Sequence, residues 1–238
     1  MIPLRDENPS STVPVVTRLL IAINVVMFAY EIWLGPALRP FILEWGLRPA
    51  RLTLALRYGE GSPLAPALTL VTSMFLHGGW AHLIGNMWYL WIFGDNVEDR
   101  FGHVRYLIFY FAAGVAAALV QSAITPMSRL PTVGASGAIA GVLGAYAVAF
   151  PRARVITLVP VFFFIQIMAL PALVVLGLWF VIQFFSGTLM LASAGTSDGA
   201  WPGGIAFWAH IGGFAFGVLV MLARGRGGAR RSRAWAED

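Results

Sequence analysis

The sequence predicts an all-α, polytopic membrane protein with six transmembrane helices. Of its 238 residues, 58% are apolar and only 11% are charged, and the mean hydropathy is +0.76. Soluble domains carry about 25% charged residues, so a soluble fold of this composition would lack the polar groups to cover its surface. The apolar excess also excludes an intrinsically disordered chain. Several apolar runs approach the length of about 20 residues that a membrane span needs.

The apolar runs are separated by polar or proline-rich stretches, and each run is predicted to form one span. We expect a short N-terminal arm over residues 1–16, a membrane domain over 17–223 and an arginine-rich tail over 224–238. Residues 95–105 form the densest internal charge cluster, which predicts a water-exposed turn. The six predicted spans are residues 19–34, 80–94, 106–124, 136–150, 169–186 and 204–222.

The basic residues indicate how the spans are oriented. All sixteen are arginine, and an even number of spans places eleven of them on the side of the termini and five on the other side. Because positive charge accumulates in cytoplasmic loops, both termini are expected in the cytoplasm. The arginines flank apolar segments rather than forming a polar basic face, so no nucleic acid partner is expected. The absence of lysine and of a transit peptide favours a bacterial cytoplasmic (inner) membrane.

The fourth predicted span is short and begins at a serine. Its fifteen residues would make a helix of about 22 Å, against a hydrocarbon core of about 30 Å. Ser136 would therefore lie below the membrane surface at a helix N-terminus, where developing negative charge is stabilised. Gly137, Gly141 and Ala145 follow at four-residue spacing, which is also typical of close helix packing. From the residues alone, the segment that begins at Ser136 can be interpreted either as the site of a nucleophile or as a helix-packing motif.

Histidine and asparagine within the predicted spans suggest a polar site. His82 and Asn86 are four residues apart and share one face of the second span. His210 lies in the sixth span and is followed on the same side by Gly213 and Gly217, which permit a close helix neighbour. Ionisable residues inside spans are functional candidates by default, although a backbone carbonyl can also satisfy a buried histidine.

The other two histidines are weaker candidates because His77 and His103 are predicted nearer to water. No H-x-x-x-H pair and no cysteine occur, so neither a metal site nor a cofactor is expected.

Four elements together resemble the rhomboid family of intramembrane serine proteases. They are HGGWAHLIGN at 77–86, the E-x-R element at Glu98–Arg100, GASG at 134–137 and AHIGGFAFG at 209–217. They occur in the family's order on the expected spans, and the likeness extends over roughly residues 17–223. The resemblance implies a six-transmembrane-helix rhomboid-like bundle.

The resemblance also implies roles for individual residues. Ser136 would be the nucleophile and His210 the general base, and the backbone N–H of Ser136 would join His82 and Asn86 in the oxyanion hole. Glu98 and Arg100 match residues with a structural role. At the position of an aromatic residue that often packs against the base histidine, this sequence has Ala140, which leaves open what orients His210.

The function that follows from the resemblance is an intramembrane serine endopeptidase. It would cleave transmembrane segments of membrane protein substrates within the lipid bilayer, through an acyl-enzyme formed by a Ser–His dyad. The alternatives are a catalytically inactive relative that acts as a binding or chaperone-like protein and a small transporter. The residues predict neither the natural substrate nor the oligomeric state.

Overall fold

The computed structural model describes residues 1–161, 164–194 and 206–225. The predicted arginine-rich tail beyond Gly225 lies outside the described residues. The described helices are α1 (Val15–Leu34), α2 (Leu38–Trp45), α3 (Pro49–Tyr58), α4 (Leu64–Thr72), α5 (Trp80–Phe101), α6 (His103–Ile124), α7 (Ser136–Ala149), α8 (Ala172–Ala194) and α9 (Phe207–Arg224). The described strands are β1 (Ile2–Asp6), β2 (Arg154–Val161) and β3 (Phe164–Pro171).

The predicted helical membrane bundle is confirmed. Within the described residues, four segments are long and apolar enough to cross a membrane: Val15–Trp45, His103–Ile124, Ala172–Leu189 and Phe207–Arg224. Leu64–Phe75 and Trp80–Phe101 pass the same test only when taken together, and they meet at a bend of 80°, as in a broken span or a re-entrant loop. As predicted, α7 is short, and its 14 residues extend only about 21 Å.

The charge cluster at residues 95–105 forms the predicted water-exposed turn only at its end, because residues 102–105 are exposed and residues 95–101 are not. α5 continues to Phe101, and α6 begins at His103 after the single residue Gly102, whose φ is 79°. The prediction was wrong for the first part of the cluster, where Glu98 is fully buried and binds the start of α1. Its carboxylate accepts hydrogen bonds from the backbone N–H groups of Val16 and Thr17 at 2.9 and 2.8 Å. These N–H groups have no acceptor within α1, so Glu98 caps that helix from a neighbouring one.

A three-stranded antiparallel sheet lies beside the helices and was not predicted. Within it β1 pairs with β2, and β2 pairs with β3, with Ile2 opposite Leu158 and Arg154 opposite Pro171. The N-terminal arm is therefore held along the chain between α7 and α8. It is also fixed to α5, because the indole N–H of Trp88 donates to the Pro3 carbonyl at 2.6 Å.

The last residue of β1 connects the sheet to α7. The hydroxyl of Tyr146 donates to a carboxylate oxygen of Asp6 at 2.5 Å. Burial raises the pKa of Asp6 to about 6, against an ordinary value of 3.8. The carboxyl group therefore lies in a low-dielectric contact between the sheet and the bundle.

The centre of the bundle is α7, in which every residue from Gly137 to Ala147 is buried. Its closest neighbour is α9, and glycines on both helices allow the two backbones to touch. A Cβ added at Gly213 would overlap the Gly137 carbonyl oxygen, and one at Gly217 would overlap the Gly141 carbonyl oxygen. The α7–α9 contact thus depends on the absence of side chains at these positions.

We expect Gly217→Ala to destabilise the protein by about 1–3 kcal/mol, the cost of overpacking a tightly packed core. The added methyl group meets backbone atoms of α7, which cannot rotate away as a flexible side chain would. Thermal unfolding in detergent would measure the change. Gly177→Ala in α8 is the matched control, because a Cβ there meets nothing within 4 Å. Equal melting temperatures for the two variants would contradict the close α7–α9 contact.

Candidate active site

A serine and a histidine from the two most closely packed helices form a hydrogen bond. Ser136 is the first residue of α7, and His210 lies in the first turn of α9. The distance from Ser136 Oγ to His210 Nε2 is 2.8 Å. The packing of α7 against α9 brings together these two residues, which are 74 positions apart in the chain.

The serine and the histidine open onto a cavity of about 670 Å³. His82 and Asn86, the polar pair predicted on one face of the second span, line the same cavity. The structure therefore brings together all four residues that the sequence marked as chemically active. His210 and Asn86 are each 7% exposed, so their polar atoms lie in a largely apolar surrounding.

His82 and Asn86 approach the backbone of the loop that precedes Ser136. A Cβ added at Gly134 would lie 2.6 Å from His82 Nε2 and 3.6 Å from Asn86 Nδ2. Gly134 has a φ of 125°, which strongly favours glycine. Its N–H donates to the Ser73 carbonyl at 2.8 Å, which fixes the loop against the end of α4.

A third histidine supports Asn86, although the sequence placed it nearer to water. His77 is only 2% exposed, and its Nε2 accepts a hydrogen bond from the Asn86 side-chain amide at 3.1 Å. The prediction for His77 was therefore wrong, because the bend between α4 and α5 places this residue inside the bundle. His103, the other weaker candidate, lies at the opposite end of α5, with its Nδ1 2.5 Å from the Glu98 carboxylate.

Glu31 of α1 completes the support for His77. Its two carboxylate oxygens accept hydrogen bonds from the His77 backbone N–H at 3.1 and 3.2 Å, and the side chain is 1% exposed. Glu31 was not among the predicted site residues. An acidic residue inside the first apolar run was the signal that could have identified it.

Two residues of α8 contact His210, and neither was selected from the sequence. Gln183 Oε1 lies 2.7 Å from His210 Nδ1. The Trp179 ring lies against the imidazole with a centroid distance of 5.7 Å and an interplanar angle of 37°. Gln183 could have been noticed as the one amide side chain in the apolar run 172–185.

Of the remaining predicted residues, Gly137 lines the cavity, and the others lie away from it. Glu98 is sixteen residues beyond His82 on α5, which corresponds to about 24 Å along the helix, and Arg100 is in the last turn of the same helix. Gly137, Gly141, Gly213 and Gly217 lie at the α7–α9 contact. These glycines hold the helices together.

The geometry is suited to nucleophilic chemistry. A neutral imidazole whose Nε2 faces a serine hydroxyl can accept its proton as the hydroxyl oxygen attacks an electrophile. Side-chain N–H groups of His82 and Asn86 lie beside the same cavity, and the N–H groups at the start of α7 are not used within that helix. Such donors can stabilise an oxyanion formed near Ser136.

Comparison with known proteins agrees with this architecture. A family model described as the Rhomboid domain matches residues 66–227. The presenilin-associated rhomboid-like protein A, mitochondrial, of Danio rerio is 32% identical over 163 residues, which cover 67% of this chain and 39% of that protein. The rhomboid protease GluP of Bacillus subtilis is 35% identical over 136 residues, which cover 56% of this chain and 24% of that protein. The chain thus matches less than half the length of either relative. The Rhomboid domain match extends over more than half of this chain. The chain therefore belongs to the rhomboid family.

Proposed function

We propose that this protein is an intramembrane serine endopeptidase that uses Ser136 and His210 as a catalytic dyad. The observation that carries the proposal is the 2.8 Å hydrogen bond between Ser136 Oγ and His210 Nε2 at the edge of a cavity within the bundle. Membership in a family that includes the Bacillus subtilis protein named a rhomboid protease supports this activity.

The proposed reaction proceeds through an acyl-enzyme. His210 Nε2 accepts the Ser136 proton while Oγ attacks the carbonyl carbon of the scissile peptide bond. The tetrahedral intermediate collapses when His210 donates that proton to the leaving amine. A water molecule, activated by the same histidine, then hydrolyses the ester and restores Ser136.

Three groups are proposed to stabilise the oxyanion: the side chains of His82 and Asn86 and the backbone N–H of Ser136. All three residues line the cavity. In a site with little water, each such donor acts on the developing charge without competition from solvent. The Glu31–His77–Asn86 contacts hold the Asn86 amide in place before the substrate arrives.

The proposed substrates are transmembrane segments of other membrane proteins. The cavity lies among helices whose outer side chains are exposed and apolar, as for Ile108, Val181 and Leu219. A peptide bond that reaches Ser136 must therefore come from a segment that is stable in lipid or at its edge.

The dyad can be tested with a mechanism-based fluorophosphonate on protein reconstituted in vesicles. We expect wild type to be labelled and to cleave a model transmembrane substrate, and Ser136→Ala to lose both activities. His210→Ala should reduce both by at least about 100-fold, the usual range for losing a general base.

The matched control for the dyad test is Ser122→Ala, a buried serine of α6 whose hydroxyl donates to the Ala118 carbonyl. This variant should be labelled like wild type. A folded wild type that neither reacts nor cleaves would favour an inactive, chaperone-like relative. Labelling that persists in Ser136→Ala would place the reactive serine elsewhere.

The oxyanion site makes a separate kinetic prediction. We expect Asn86→Ala to lower kcat by about 10²–10³-fold with little change in KM, because the hydrogen bond strengthens only as charge develops. Steady-state cleavage of the model substrate measures both constants. Asn24→Ala in α1 is the control, since it also removes a buried amide. A rise in KM at unchanged kcat would instead assign Asn86 to substrate binding.

We further propose a bacterial cytoplasmic membrane with both termini in the cytoplasm. The support is the arginine distribution, eleven on the side of the termini against five on the other. A reporter fused after Gly225 should be active only in the cytoplasm, and one inserted between Gly59 and Ser62 only on the opposite face. An external reporter after Gly225 would overturn this orientation.

A further inference from the structure

We propose that Gln183 is a positioning residue that holds His210 in its catalytically competent tautomer. It would thereby extend the dyad to a chain of Ser136, His210 and Gln183. The inference rests on the proposed serine protease function. It answers the question that Ala140 leaves open, namely which residues orient the base histidine.

The direction of the hydrogen bond between Gln183 and His210 determines the tautomer of the imidazole. The Gln183 Oε1 atom is an acceptor, and it lies 2.7 Å from His210 Nδ1. The proton of the neutral imidazole must then be on Nδ1, which leaves the Nε2 lone pair free to face the Ser136 hydroxyl at 2.8 Å. The other tautomer would direct an N–H toward Ser136 and could not accept its proton.

The surroundings of His210 explain why this bond matters. The side chain is 7% exposed, so Nδ1 has little access to water as a substitute acceptor. A buried N–H without a partner is strongly disfavoured, and the Gln183 carbonyl therefore selects both the tautomer and the ring orientation. A neutral amide performs this role in the bilayer without the desolvation cost of a buried carboxylate.

Trp179 supplies the second contact that fixes the ring. It lies four residues before Gln183 on α8, so both side chains project from one helical face. Its ring is inclined by 37° to the imidazole at 5.7 Å, which restricts rotation of His210 about its side-chain bonds. The aromatic surface thus comes from α8, whereas Ala140 of α7 is fully buried and too small to provide it.

Two substitutions of Gln183 separate positioning from packing. Gln183→Met keeps the length of the side chain but removes the acceptor. We expect kcat and the rate of fluorophosphonate labelling to fall together by about 10- to 100-fold, the effect of one unsatisfied buried hydrogen-bonding group, while KM stays constant. Thr188→Val, on the next turn of α8, is the control and should behave like wild type.

Unlike Gln183→Met, the substitution Gln183→Glu keeps an acceptor at this position, and it adds a negative charge. The carboxylate should recover most of the activity at high pH, because Nδ1 again has a partner. It also stabilises the imidazolium, and only the neutral imidazole can act as the base, so the acidic limb of the pH–rate profile should move to higher pH. A limb that does not move would show that the side chain at position 183 does not contact Nδ1, which would overturn the proposal.

The tautomer can also be observed directly, without any substitution at Gln183. In ¹⁵N-histidine-labelled protein, the His210 resonances are identified by their absence in His210→Ala. Their chemical shifts should report a proton on Nδ1 and none on Nε2. A proton on Nε2 in the resting enzyme, or a Gln183→Met variant with wild-type kcat and pH profile, would overturn the proposal. Cleavage that persists in Ser136→Ala would instead overturn the proposed function.

Discussion

The contact between the backbones of α7 and α9 is the constraint on which the site depends. Gly213 and Gly217 of α9 lie directly against carbonyl groups of α7, and Gly144 of α7 lies against the Phe214 carbonyl. At this separation neither helix can slide without a steric clash, since protein interiors do not deform continuously. α6 also holds the start of α9, because the Gln121 side chain accepts from the Ala209 N–H at 3.2 Å. The position of His210 relative to Ser136 is therefore set by main-chain packing.

A second constraint comes from the bilayer, in which an unpaired polar group finds no water. Two sets of polar side chains in the bundle are connected by hydrogen bonds, although His77 Nδ1 has no partner among the described residues. Glu31 binds the backbone of His77, and His77 binds Asn86. The Glu98 carboxylate accepts hydrogen bonds from the N–H groups at the start of α1 that have no acceptor within the helix. Each set satisfies groups whose burial would otherwise cost several kcal/mol, and one of them also orients groups of the cavity.

The sequence predicted those features that depend on local spacing. Helix length and the preceding glycine placed Ser136 at the start of a short span, and four-residue spacing placed His82 and Asn86 on one face. The sheet could not be predicted, because β1 pairs with a strand about 150 residues away and its local pattern is compatible with an extended arm. The resemblance implied a structural role for Glu98, but its contact with the start of α1 was not predicted, because charged residues usually face water. Gln183 was missed because its partner is set by tertiary packing.

The sheet fixes the first residues of α8. β3 runs directly into α8 at Pro171, and the first N–H groups of the helix donate to the carbonyls of Ala153 and Pro151 at 2.8 and 3.3 Å. If α8 tilted about this end, the displacement of its residues would grow with distance along the helix. Gln183 lies about 16 Å from the pivot, so a tilt of about 10° would move it by about 3 Å, enough to break its bond to His210. The contact between Gln183 and His210 therefore depends on the angle at which α8 leaves the sheet.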